Sequence, residues 1–114
     1  VVTDSAAEGG GAGAAGVTVT DSPHARRYEA RIGDELAGTA AYMRTPEVIA
    51  FIHTEVGDAY EGRGIGSSLA RRAMEDARAQ GLQVLAICPF IAGWLTRHPE
   101  YDDLKYVPGS SVSD

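Results

Sequence analysis

The 114-residue sequence predicts an α/β domain on a mixed β-sheet, an antiparallel meander joined to one parallel β-α-β crossover. Three observations point there. Residues 17–56 break into short β-patterned runs, residues 64–80 carry a helical apolar period, and the apolar run LQVLAIC follows directly on a glycine that closes that helix.

VVTDSAAEGGGAGAAG (residues 1–16) has almost nothing to bury and cannot recover the entropy of being ordered, so it is expected to be a disordered tail. The foldable domain is placed at residues 17–107, and residues 108–114 are expected to be loose. VTVTD opens the domain. In ARRYEARI, Tyr28, Ala30 and Ile32 alternate with Arg27, Glu29 and Arg31, the pattern of a half-exposed strand. Gly33-Asp34 is a turn, and ELAGTAAYM returns as the hairpin partner with Leu36, Ala40 and Tyr42 on one face. VIAFIHTEV is nearly continuous in apolar residues, which predicts a central strand buried on both faces.

The helix from about Gly64 to Gln80 places Ile65, Leu69, Ala70, Ala73, Met74 and Ala77 on one face, with Gly81 as its C-terminal cap. Arg71, Arg72 and Arg78 are expected to pair with Glu75 and Asp76 on its exposed side. LQVLAIC is read as a buried strand parallel to VIAFIHTEV. Pro89 opens a short helix with Phe90, Ile91, Trp94 and Leu95 inward, stopped by His98-Pro99.

Composition excludes several function classes. Sixteen acidic against ten basic residues give a net charge of -6 with no basic stripe, so nucleic acid is not an expected partner. No apolar run approaches the roughly 20 residues that span a bilayer, so no membrane role is expected. The single cysteine, Cys88, cannot form an intramolecular disulfide, and nothing at the N-terminus reads as a signal peptide, so the expected location is cytoplasmic. His24, His53, His98 and Cys88 lack metal-ligand spacing, and no metal is expected.

The stretch EGRGIGSS (residues 61–68) carries glycines at 62, 64 and 66 between a strand and a helix. Such a turn exposes backbone N–H groups at the positive end of a helix dipole, where phosphate binds. An ATP loop requires Gly-Lys-Ser/Thr, and this region has no lysine. A dinucleotide fingerprint starting at Gly62 meets Ser67 in place of its third glycine. A tight turn that holds nothing remains open on the turn alone.

In order along the chain, HTEV, GRGIG, CPF and HPEY together resemble the GNAT superfamily, in particular its minimal branch, the small N-acetyltransferase domain-containing protein 1 type. The resemblance covers residues 28–106. It implies a pyrophosphate loop of the form Q/R-x-x-G-x-G/A, with Gly64 and Gly66 on the glycine positions and Glu61 where Gln or Arg is usual. By the same resemblance, the main chain of Thr54, Glu55 and Val56 would hold the pantetheine arm of acetyl-CoA like an added strand. Gly62, Arg63, Gly64, Ile65, Gly66 and Ser67 would surround the pyrophosphate of coenzyme A.

The chain departs from larger relatives in two ways. Gly/Ala tail stands where they carry acceptor-pocket helices, and Leu95 stands where many have a tyrosine that protonates the departing thiolate. Cys88, at a strand end and a helix N-terminus, is the candidate to take the acetyl group or to assist thiolate departure. The competing reading is a small buried core residue. His53, expected to share a face with Phe51 and Glu55, is the candidate base for the incoming amine or for Cys88; a structural histidine is the alternative. The implied activity is acetyl transfer from acetyl-CoA to a small-molecule or protein amine, the alternative a non-catalytic CoA-binding module. Oligomeric state is not legible in the chain.

Overall fold

The structure is a computed structural model that describes residues 16–107. The expectations for residues 1–15 and 108–114 lie outside the described residues. Five strands, β1 (Val17–Ser22), β2 (Arg27–Ile32), β3 (Glu35–Arg44), β4 (Val48–Val56) and β5 (Gln83–Ala86), form one sheet in the order β1-β2-β3-β4-β5. The first four run antiparallel, and β4 and β5 are parallel. Helix α1 (Ile65–Gln80) makes the crossover between them, and α2 (Pro89–Thr96) follows β5.

The meander forms because alternation gives each strand one apolar face, with Tyr28, Ala30, Ala40, Tyr42, Ile49 and Phe51 all buried. These pack against Ile65, Leu69, Ala73, Met74 and Ala77, the apolar stripe of α1. Ile91, Trp94 and Leu95 of α2 extend the same core. Burying each large side chain is worth roughly 1.5–3 kcal/mol. Buried hydroxyls are satisfied: the Tyr28 phenol donates to Asp76 at 2.9 Å and the Tyr42 phenol to Asp21 at 2.6 Å. Burial and the Asp21 carboxylate push the Tyr42 phenol up to about 12, and burial with Asp76 raises Tyr28 as well. Gly81, in the left-handed region at φ 71°, caps α1 as expected.

Four expectations need correction. Leu36 is exposed and Ala37 is buried, because the β2–β3 register shifts between Ala30↔Gly38 and Arg31↔Leu36 and leaves Ala37 as the extra residue of a bulge. β4 is not buried on both faces: Ile52, His53 and Glu55 are exposed, since the described helices cover only one side of the sheet and β5 pairs only as far as Phe51. Phe90 is not inward but exposed at the edge of α2. Of the three arginines, only Arg72 makes the expected pair, with Asp76 at 3.1 Å.

Arg78 instead forks onto Asp103 at 2.8 and 3.1 Å, and Arg71 lies 3.8 Å from Glu100. Their partners come from a short 3-10 helix, Pro99–Leu104, which follows α2. That segment folds back on α1, where the Tyr101 hydroxyl donates to Glu75. Tyr106 N–H then bonds the Val84 carbonyl at 2.8 Å and covers the outer edge of β5.

Candidate active site

The site begins where β4 and β5 part. The parallel ladder runs Val48↔Gln83 to Phe51↔Ala86 and ends. There the Phe51 carbonyl accepts from both the Ile87 N–H, at 3.0 Å, and the Cys88 N–H, at 2.9 Å, as the chain turns away into α2. β4 continues through residues 52–56 paired to β3 alone among the described strands. The unpaired side is an edge of backbone donors and acceptors, a template for an extended ligand.

A second bulge decides which side chains face that gap. The register passes from Ala41↔His53 to Tyr42↔Phe51 and leaves Ile52 as the extra residue. The bulge flips the alternation. Phe51 points into the core, and beyond the bulge Thr54 and Val56 take that side, with Val56 packed on the core and Thr54 Oγ1 3.3 Å from Cys88 Sγ. His53 therefore does not share a face with Phe51, as alternation without a bulge predicts. It does share one with Glu55, whose Oε2 lies 3.0 Å from His53 Nε2 on the exposed side of the strand. Cys88 and His53 thus lie on opposite sides of β4.

Cys88 is 3% exposed and caps α2, with the Ile91 N–H donating to its sulfur at 3.5 Å. Leu95, where a tyrosine acid would stand, is buried.

The glycine turn sits at the head of α1, joined to β4 by a short 3-10 helix, Asp58–Tyr60. Gly62 at φ 81° and Gly64 at φ 76° both adopt the left-handed region, which sends the chain sharply from that helix into α1. Glu61 N–H bonds the Asp58 carbonyl and Ser68 N–H the Gly64 carbonyl. Between them the six N–H groups of Gly62, Arg63, Gly64, Ile65, Gly66 and Ser67 have no acceptor among the described residues. Six consecutive donors at a helix N-terminus fit a diphosphate.

Gly66 is buried beneath the Phe90 ring, which a Cβ there would meet at 2.6 Å. On β3, a Cβ on Gly38 would lie 2.8 Å from the Glu55 carbonyl and 2.9 Å from Ile65. That glycine lets the end of β4 and the start of α1 come together. Arg63 lies over the Tyr60 ring, 5.7 Å from its centroid, and the Tyr60 hydroxyl donates to Glu35. Glu61 is exposed, and its side chain has no hydrogen bond or ion pair among the described residues.

The structure thus brings the expected residues 54–56 to the open edge and residues 62–67 to the head of α1. It sets Cys88 against Thr54 and separates His53 from Cys88. Sequence reasoning missed the side-chain contact of Thr54, the placement of Phe90 on Gly66, and a 2.8 Å hydrogen bond from Trp94 Nε1 to Ser67 Oγ. Only the parity of Thr54 was within reach of a pattern, and the bulge hid it. A cleft of about 360 Å³ lined by Pro23, Arg26, Tyr42, Met43 and Arg44 lies at the opposite end of the sheet from this site. No group of three or more His, Cys, Asp or Glu side chains is arranged to hold a metal among the described residues. None of the described helices is long and apolar enough to cross a membrane.

Comparison with known proteins bears on the fold and the family. In fold, the chain is similar to a GCN5-like protein of Staphylococcus aureus solved in solution by NMR, with a TM-score of 0.61 at 22% identity, covering 85% of this chain and 97% of that one. None of the curated proteins matches closely enough to count as a relative. A model of the family described as GCN5-related N-acetyl-transferase matches residues 27–104, the span from β2 to the last 3-10 helix. With residues 27–104 matched, most of its length, the chain belongs to the GCN5-related N-acetyltransferases, enzymes whose acetyl donor is acetyl-CoA.

Proposed function

We propose that the protein transfers the acetyl group of acetyl-CoA to an amine, of a small molecule or of a protein, at the gap between β4 and β5. The observation that carries this reading is the run of six N–H groups over residues 62–67 that have no acceptor among the described residues, set beside the edge of β4 that no described strand pairs. Residues 62–67 hold the diphosphate, and the main chain of Thr54, Glu55 and Val56 pairs with the pantetheine arm. When bound, acetyl-CoA supplies an activated thioester. Backbone N–H groups at the open edge polarise its carbonyl.

Cys88 and His53 then act from the two sides of β4. Cys88 serves the thioester in one of two balanced ways. As a nucleophile, its sulfur bonds the acetyl carbon, its proton goes to the departing CoA sulfur, and the amine later displaces it and returns a proton. As an acid, it protonates the CoA sulfur as the C–S bond breaks, while the amine attacks, bonds the acetyl carbon and gives the proton it then loses back to the Cys88 thiolate. The Thr54 hydroxyl and the Ile91 N–H at its sulfur support both. His53, on the exposed face with Glu55 behind it, accepts the proton of the incoming ammonium.

Incubation with acetyl-CoA, read by intact mass and by CoA release, tests these roles. An acetyl adduct on the wild type that is lost in Cys88→Ala supports the nucleophile. A CoA release rate cut roughly a hundredfold in Cys88→Ala without any adduct supports the acid. Unchanged release in both Cys88→Ala and His53→Ala removes both residues from the mechanism.

A further inference from the structure

We infer that Trp94 is a positioning residue for the diphosphate site: its indole N–H engages an acceptor lone pair of Ser67, holds the hydroxyl in place and leaves its proton to be donated to the bound phosphate. This rests on the reading of residues 62–67 as a diphosphate turn. The two serines at the head of α1 are used differently. Ser68 Oγ donates to the Gly64 carbonyl at 3.0 Å, so its proton is held inside the helix. Ser67 Oγ instead accepts from Trp94 Nε1 at 2.8 Å, and no described residue accepts its proton. With one lone pair engaged by the indole, the Ser67 hydroxyl keeps its proton to donate, and Ser67 is the last of the six residues whose N–H groups have no acceptor among the described residues.

The indole is well placed to impose this. Trp94 is 1% exposed, stacked on His98 at 3.7 Å, with Arg71 5.4 Å from the ring centroid. The His98 ring is itself tied to the Trp94 carbonyl by a 2.8 Å hydrogen bond from Nδ1. An indole N–H is a donor with no acceptor alternative, so the polarity of the Trp94–Ser67 bond is fixed. One turn earlier on α2, Phe90 rests on Gly66. Helix α2 therefore grips two successive residues of the turn, one by contact and one by a hydrogen bond, while its cap, Cys88, meets Thr54.

The protein has a single tryptophan, so its indole N–H gives one resonance by which the bond can be watched. When Ser67 donates to phosphate, its oxygen becomes a better acceptor, and the indole proton moves downfield. CoA is titrated into the wild type, Ser67→Ala, Trp94→Phe and the double variant, with affinity followed by calorimetry and the indole proton by NMR. The expected result is a downfield indole shift on saturation in the wild type that disappears in Ser67→Ala. Each single variant should lose about tenfold in CoA affinity, and the double variant no more than either single one. An indole resonance that CoA leaves in place, or losses that multiply in the double variant, overturns the proposal while leaving the diphosphate reading intact. A wild type that does not bind CoA overturns both. Should Trp94→Phe not fold, the indole shift in the wild type and in Ser67→Ala still decides.

Discussion

The two halves of β4 share one strand and one apolar run, yet they behave as different structures. Residues 48–51 are paired on both sides and pack under α1, where Phe51 meets Tyr28 and Tyr42 in a cluster of rings 5.6–6.3 Å apart. Residues 52–56 follow a bulge, keep one partner strand, and present a backbone edge beside Cys88 and the glycine turn. The first half holds the fold together, and the second carries the open edge at which the proposed acetyl-CoA arm would pair. A strand end that stops being a sheet while still anchored to one is a rigid support for an extended arm.

Substitutions separate the halves. Phe51→Ala, at a fully buried ring, should cost about 3–5 kcal/mol in a urea unfolding experiment. Ile52→Ala, one residue on at 39% exposure, should cost less than about 1 kcal/mol. Equal losses would mean that the two halves are one core. Gly38→Ala attacks the junction: its Cβ must displace the Glu55 carbonyl and Ile65, which should cost about 1–3 kcal/mol of stability and lower CoA affinity as the open edge moves. Thr54→Val keeps the shape and removes the hydroxyl from Cys88, so it should change stability by no more than about 1 kcal/mol while slowing CoA release from acetyl-CoA.

Alkali probes the aromatic cluster on which the paired half of β4 packs. Unfolded phenols titrate near 10, whereas the folded Tyr42 is pushed up to about 12 and Tyr28 is also raised. The unfolded chain therefore loses these protons first. Their stabilisation is complete below about pH 10 and falls as pH rises above it, the share of Tyr42 being lost by about pH 12. The melting temperature should fall across that window, and the fall should be shallower in Tyr42→Phe. A slope that this substitution does not change would remove the aromatic cluster from the account.

The same contrast explains what was legible in the sequence. The order of strands and helices followed from apolar period and from Gly33, Gly81 and Pro89, which signal turns and caps locally. The glycine turn was legible for the same reason, because alternate glycines at 62, 64 and 66 between a strand and a helix mark a sharp turn locally. The bulges at Ala37 and Ile52 were not, since one extra residue leaves composition unchanged while reversing which side chains face the core. That reversal set Thr54 instead of His53 toward Cys88. The Trp94–Ser67 bond and the Gly38 junction join segments far apart in the chain, and no local pattern encodes them.

The central claim is that residues 52–56 and 62–67 form one unfilled site, and amide hydrogen exchange with and without CoA tests it most directly. The account predicts that the edge-facing amides of residues 52–56 and the amides of residues 62–67 exchange rapidly alone and become protected together at saturating CoA, while Ile49 and Phe51 remain slow throughout. Saturating CoA that leaves both segments unprotected, or protects one without the other, would contradict it.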